Sequence, residues 1–446
     1  MNVVIAGAGE TGRYIAALLS KSEHNVVLID INGKRLEEVS FDLDVGTRMG
    51  SATNWELLEQ LLDVNPDLFI ALTDDDNVNL VSCSIAKNLG YLSTIARVRD
   101  SSYLNTMRLD FARIFDVDYF ISPELLVANE FYKYMISPGF VRVETFAHGA
   151  VQMKTLQVPQ EWEKRDVPIM HLDLPENTML ALIYREGKGV IFPHGKDTIY
   201  PGDHITLIGE TQKMEEVHRF FGVHHDVIRS VLIVGGSLTA INLAKLLEER
   251  GIAVRLIEKD YETCLKLSIE LEKSSIIHHS GVDLEFLLEE KVGQSDVMVV
   301  CTRNDEFNVM AGLLGKEAGC SQVIVEVANT GYIPLLDRLG ILYTPSPGMV
   351  AAQRIFALAL SKTVSSLVSL YDNQAEIMEV KVSMHSKLAG IPISELSPHF
   401  PNDFLVGVIQ NRGKIMIARG DHVFSPGDTV IVISHLRHQR ELEEMF

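Results

Sequence analysis

What most restricts the fold open to this chain is that it is one plan written twice. The run Val3-Val4-Ile5-Ala6-Gly7-Ala8-Gly9-Glu10-Thr11-Gly12 returns as Val231-Leu232-Ile233-Val234-Gly235-Gly236-Ser237-Leu238-Thr239-Ala240. Each copy is an apolar strand pattern, a loop of small residues and the start of a helical pattern. Val26-Val27-Leu28-Ile29-Asp30 matches Val254-Arg255-Leu256-Ile257-Glu258, so an acidic residue closes the second strand both times. Further on, Ala71 to Asn79 parallels Val300 to Asn308, and Ser122-Pro123 parallels Ser346-Pro347. A different module also repeats: Tyr200-Pro201-Gly202-Asp203 and Ser425-Pro426-Gly427-Asp428 each precede alternating apolar residues. Pro-Gly-Asp turns leading into a period of two predict short antiparallel strands.

The expected class is therefore α/β: two Rossmann-like parallel-sheet lobes, each followed by a small α+β lobe. The expected segments are residues 1–138, 139–222, 228–368 and 369–446, with boundaries near Pro138, Phe221 to Ile228, and Ser369 to Gln374. The stretch Met349 to Leu370 is the most apolar, but Gln353, Arg354 and Lys362 interrupt it. It reads as an amphipathic helix, because a spanning segment needs roughly 20 nearly uncharged residues.

An apolar share of 46% with 22% charged residues suits a soluble chain with substantial cores. The formal charge of −20 repels a polyanion, so nucleic acid is excluded as a partner and a basic protein surface favoured. Cys83, Cys264, Cys301 and Cys320 stand far apart, without a C-x-x-C pair, and read as packed thiols. The strand starting at Asn2 leaves no room for a signal peptide's apolar core, which predicts a cytoplasmic protein.

Gly7-Ala8-Gly9-Glu10-Thr11-Gly12 follows a strand and opens a helix, the context in which G-x-G-x-x-G binds a dinucleotide. Gly7 serves the tight turn, Gly9 the approach of the backbone to a pyrophosphate, and Gly12 close helix packing. Asp30, at the end of the second strand, is placed to accept both ribose hydroxyls and to repel a 2′-phosphate, favouring NAD(H) over NADP(H). Ligands of open α/β sheets lie beyond the carboxyl ends of the strands, which adds Gly50, Ser51, Thr73, Asp74 and Arg97. For Arg97 a phosphate contact and a structural ion pair are equally open. Asp74-Asp75-Asp76 reads as a loop rather than a metal site. In the second copy Ser237 replaces the middle glycine, Ala240 the third, and Glu326 stands where Arg97 does. A serine there intrudes on pyrophosphate space, so that cleft is expected to be altered.

No catalytic constellation accompanies the loop. H-E-x-x-H, G-x-S-x-G and G-x-x-x-x-G-K-[ST] are absent, and the pairs His224-His225 and His278-His279 lack metal-ligand companions. An NAD-dependent oxidoreductase, the main rival reading, needs a general acid or base facing the nicotinamide. A redox-sensing transcription factor needs a basic module that the charge does not supply.

The doubled loop, Asp30, Thr73-Asp74-Asp75-Asp76-Asn77, Ala96-Arg97-Val98-Arg99, Ser122-Pro123 and the two Pro-Gly-Asp modules together resemble the TrkA family over essentially the full length. These are the cytoplasmic regulatory subunits of bacterial Trk potassium uptake systems. The resemblance implies tandem RCK units and a cytoplasmic homotetrameric ring at the inner face of the membrane. It also implies a membrane-embedded Trk-type potassium channel or transporter partner, and binding without turnover of NAD(H), ATP or ADP. Carried over by motif, the first pocket comprises Gly7, Ala8, Gly9, Glu10, Thr11, Gly12, Asp30, Ser51, Thr73, Asp74 and Arg97. The second comprises Gly235, Gly236, Ser237, Leu238, Thr239, Glu258 and Thr302.

Overall fold

The computed structural model describes the chain except for residues 105–107, 137–139, 223–227, 342, 360–363, 372–373, 385, 387, 397–402, 412, 439–444 and 446. Pro138, His224, His225 and Lys362 thus lie outside the described residues.

Strands and helices alternate in the first lobe: β1 (Asn2–Ala6), α1 (Glu10–Lys21), β2 (Asn25–Asp30), α2 (Gly33–Asp42), β3 (Gly46–Met49), α3 (Trp55–Gln60), β4 (Leu68–Ala71), α4 (Asp76–Leu89), β5 (Ser93–Arg97), α5 (Phe111–Phe115), β6 (Tyr119–Ile121) and α6 (Pro123–Met135). The six strands form one parallel sheet in the order β3-β2-β1-β4-β5-β6, the doubly wound nucleotide-binding order. Val3, Val4, Ile5, Phe69 and Ile70 are fully buried, as the continuous apolar runs of a sheet covered on both faces require.

A small lobe follows, with β7 (Phe140–Phe146), β8 (Val151–Gln157), β9 (Thr178–Arg185), β10 (Gly189–Ile191), β11 (His204–Glu210) and α7 (Glu216–Phe221). Its five strands pair antiparallel in the order β10-β9-β11-β8-β7. The turn carboxylate Asp203 is buried, accepts the Tyr200 N–H and pairs with Arg185 at 2.7 Å, which fixes the hairpin entry.

The plan then repeats: β12 (Ser230–Val234), α8 (Leu238–Glu249), β13 (Ala253–Glu258), α9 (Tyr261–Glu270), β14 (Ser275–His278), α10 (Leu284–Glu289), β15 (Val297–Val300), α11 (Asp305–Glu317), β16 (Val323–Val325), α12 (Ile333–Arg338) and α13 (Pro347–Ala359). This parallel sheet is ordered β14-β13-β12-β15-β16. The last lobe has β17 (Val364–Leu370), β18 (Ala375–Lys381), α14 (Ile393–Leu396), β19 (Phe404–Asn411), β20 (Lys414–Ile417) and β21 (Thr429–Ser434), antiparallel in the order β17-β18-β21-β19-β20.

By contact the chain divides into Met1–Tyr132 with Ile228–Ala359, and Lys133–Val227 with Leu360–Phe446. In the first unit α13 of the second copy packs on α1 of the first, burying Ala351, Ala352, Ile355 and Phe356 within the chain. In the second unit Met153, Ala181 and Ile208 share one core with Ile377, Val408 and Ile433.

The stretch from Met349 to Leu370 is corrected by the structure. Pro347–Ala359 is helix, residues 360–363 lie outside the described residues, and Val364–Leu370 is an edge strand paired antiparallel with β18. Apolar content alone does not separate helix from strand, and the Val-Ser-Ser-Leu-Val-Ser-Leu pattern favours pairing once β18 is alongside.

Candidate functional site

The candidate site lies in the first unit. β1 runs straight into Gly7, whose φ of +110° suits glycine, and a Cβ there would lie 2.9 Å from the Leu72 carbonyl. A Cβ on Gly12 would sit 1.9 Å from the Gly7 carbonyl oxygen, so these two glycines are demanded by the protein's own packing. Gly9 is different: a Cβ there meets no atom within 4 Å. It caps α1 with no side-chain hydrogen bond, so the first-turn N–H groups face open space with the positive end of the helix dipole behind them. Such a helix end offers unpaired donors that can seat an anion.

The Asp30 carboxylate lies against this seat. Its Oδ2 accepts the Ala8 N–H at 2.7 Å and its Oδ1 the Asn32 N–H at 2.7 Å, which fixes its rotamer. Each carboxylate oxygen retains a lone pair for a further donor. Both belong to a cavity of about 890 Å³, within the usual size range of ligand pockets. Gly7, Gly9, Glu10, Thr11, Gly12, Ser51, Thr73, Asp74 and Arg97 line it as well; Ala8 does not, and serves through its N–H.

The far walls were not all foreseen. Arg97, largely buried, donates to Glu124 Oε1 at 3.0 Å and lies 3.6 Å from Asp74. It thus faces the cavity and makes a structural pair at once. Asp74 also pairs with Arg99 at 2.7 Å. Of the acidic run, Asp75 caps α4 by accepting the Asn77 and Val78 N–H groups, and Asp76 accepts those of Arg99 and Asp100. Buried Asn79 staples the strand ends, accepting from Thr73 and donating to the Thr73 and Arg97 carbonyls. Arg35, Arg99 and Glu124 line the cavity without having been singled out; Arg99 stood in the quoted Ala96-Arg97-Val98-Arg99 motif and was the legible one.

The second copy keeps this framework. Glu258 accepts from Gly236 N at 2.6 Å and Asp260 N at 2.8 Å, and Asn308 repeats the staple between Thr302 and the Glu326 carbonyl. Gly235, Gly236, Ser237, Glu258 and Thr302 line a smaller cavity of about 310 Å³, with His279 stacked on Phe286 at its edge. The anion seat is changed: the Ser237 hydroxyl accepts the Ala240 N–H at 3.2 Å, so the helix is capped from within. Leu238 and Thr239 do not line this cavity. With Ser237, Thr302, Arg303 and Glu326 they line the larger one, which the second copy therefore helps to enclose.

Glu326 is an unusual group. Burial pushes its carboxyl up to about 8, with Glu124 and Asp305 raising it further and the Thr239 side chain opposing as a hydrogen-bond partner. It in turn helps raise the buried Cys301 thiol, whose main cause is desolvation.

The TrkA-N domain family matches residues 3–123 and again 231–347, and the TrkA-C domain family matches 165–222 and 377–446. The chain belongs to the TrkA family. It is 31% identical to Trk system potassium uptake protein TrkA homolog 1 of Methanosarcina mazei, covering all of both chains. It is 32% identical to the TrkA homolog of Archaeoglobus fulgidus, again over the full length of both. Among solved structures, the GsuK channel bound to NAD aligns over 100% of this chain and 78% of its own with a TM-score of 0.65 at 14% identity. The crystal structure of the GsuK RCK domain aligns over 100% and 94% with a TM-score of 0.63 at 14% identity. These likenesses establish the tandem RCK fold for this TrkA-family chain.

Proposed function

We propose that this TrkA-family chain is a nucleotide-sensing regulatory subunit of a Trk-type potassium uptake system, with NAD(H) held in the first cleft. The observation that carries the reading is the uncapped N-terminus of α1 at Gly9, open to a cavity that also contains the Asp30 carboxylate. The phosphates sit on the first-turn N–H groups of Glu10, Thr11 and Gly12, and the adenosine ribose on Asp30. ADP and ATP share the adenosine half and compete for the same cleft. GsuK, a channel of the same fold, has a solved structure bound to NAD and another bound to ADP.

Regulation follows from enclosure. Because both copies wall the cavity, a bound nucleotide changes the free energy of any movement of one copy against the other. A homotetrameric ring passes that change to a membrane-embedded potassium-conducting partner, and the acidic chain docks on that partner's basic cytoplasmic loops. The chain holds the nucleotide as a signal and does not transfer its hydride. Thermal shifts with NADH, NAD⁺, ADP and ATP test the reading, since ligand at about 100 times Kd stabilises by about 2.7 kcal/mol. NADH is expected to raise Tm for the wild type and not for Asp30→Ala; equal shifts in both would refute the assignment.

A further inference from the structure

Among the described residues, three of the buried polar atoms without a hydrogen-bond partner belong to side chains that line the larger cavity: Arg97 Nε, Glu124 Oε2 and Glu326 Oε2. Leaving a buried polar atom unpaired costs about 1–3 kcal/mol. Such a cluster beside one cavity calls for a physical explanation, and groups on a bound ligand can supply the missing partners.

The chemistry of these atoms specifies the ligand's far end. Two of the three are carboxyl oxygens, of which Glu124 Oε2 accepts hydrogen bonds and Glu326 Oε2 does so once that group is ionised; the Arg97 guanidinium is already engaged by Glu124 and Asp74. Across the whole lining, four arginines face seven carboxyl groups. This wall suits a ligand whose distal part is uncharged and rich in donors, and it opposes added negative charge. A nicotinamide riboside offers two ribose hydroxyls and a carboxamide NH₂. The terminal phosphate of a nucleoside triphosphate offers acceptors and negative charge only. The second copy redistributes the charge of this wall without changing its sum, placing Glu326 where the first copy has Arg97 and Arg303 where it has Asp74.

We infer that Glu124 and Glu326 set the ligand preference of the cavity, favouring an adenine dinucleotide, with its donor-bearing far half, over a nucleoside triphosphate. The inference rests on the proposed reading that the first cleft holds the adenosine and the phosphates. Glu124 acts twice, accepting from the ligand and drawing Arg97 away from phosphate. Glu326 acts chiefly when ionised. The groups facing it are Thr239 on α8, Glu124 on α6, Asp305 on α11 and Cys301 at the end of β15; none of them is a cation that would neutralise it.

Calorimetric titration of the full chain with NADH, ADP and ATP tests this in the wild type, Glu124→Gln and Glu326→Gln. The wild type is expected to bind NADH at least about tenfold more tightly than ATP, with ADP between them. Glu124→Gln releases Arg97 and should narrow the NADH-to-ATP ratio by about tenfold, mainly by tightening ATP. For the wild type, ATP affinity should fall between about pH 7 and about pH 9 while NADH affinity holds, and in Glu326→Gln both should stay level. The Glu326→Gln arm decides the matter even if Glu124→Gln fails to fold. A wild type that prefers ATP, or an NADH-to-ATP ratio unmoved in both variants and at both pH values, overturns the inference while nucleotide binding stands. A wild type that binds none of the three overturns both.

Discussion

Two clefts in this chain share one framework and differ at the point where a phosphate would rest. In both, a carboxylate at the end of the second strand ties down the small-residue loop, and a buried asparagine staples two strand ends. In the first, the helix begins at an uncapped glycine; in the second, the Ser237 hydroxyl accepts the Ala240 N–H. A seat for an anion is thus a vacancy in the hydrogen bonding of a helix end, and one hydroxyl is enough to fill it. The second copy keeps the fold of a nucleotide site, fills that seat with its own serine, and lends its loop to the wall of the first.

The largest expected effect separates the two acidic corners. Asp30→Ala removes a charged acceptor from ribose hydroxyls, a loss of roughly 10- to 150-fold in NADH affinity by titration. Glu258→Ala, its counterpart, should leave NADH affinity nearly unchanged. Comparable losses from both would show that the clefts are equivalent.

Next comes the loop itself. Gly12→Ala forces a Cβ to 1.9 Å from the Gly7 carbonyl oxygen, whereas the second copy already carries Ala240 at the matching place, fully buried. Gly12→Ala should cost about 1–3 kcal/mol in denaturant unfolding as an overpacked site. A neutral result would mean that the two loops differ less than their backbones imply.

How much of this contrast the sequence carried depends on the range of the interactions. Strand runs, glycine loop, acidic corner and repeat register are local patterns, so Gly9, Asp30, Ser237 and Glu258 could be read directly. The Arg97–Glu124 pair, the seating of α13 on α1 and the joint walling of the larger cavity join residues far apart in the chain. No local periodicity encodes them. The inverted pairs Arg97 with Glu326 and Asp74 with Arg303 were available in the alignment of the two copies. Only the cavity gives that inversion a meaning.

A smaller effect is a pH dependence confined to the second copy. The Glu326 carboxyl is held up to about 8 in the folded chain against an ordinary value of 4.5. A group raised in this way contributes stability that is complete below the unfolded value and lost as pH rises toward the folded one. Glu326→Gln should therefore gain stability relative to the wild type as pH rises from about 4.5 to about 8, with no further gain above. Melting curves across that range check this, and parallel wild-type and Glu326→Gln profiles would contradict the assignment.

Smallest of all is the cap. Ser237→Gly should cost only a few tenths of a kcal/mol, and Ser237→Ala about 1 kcal/mol, since glycine is a tolerable cap and alanine a poor one. Equal losses in thermal unfolding would mean that the hydroxyl does not cap α8.

The measurement that bears most directly on the account is NADH titration of Gly9→Ser beside the wild type. A Cβ at that position meets no atom within 4 Å, so the fold is expected to accept a serine there. Its hydroxyl should cap α1 as Ser237 caps α8, giving a Tm equal to or slightly above that of the wild type. The account predicts roughly one NADH per chain for the wild type and little or none for the stable Gly9→Ser variant. A Gly9→Ser protein that binds NADH with unchanged affinity would contradict it.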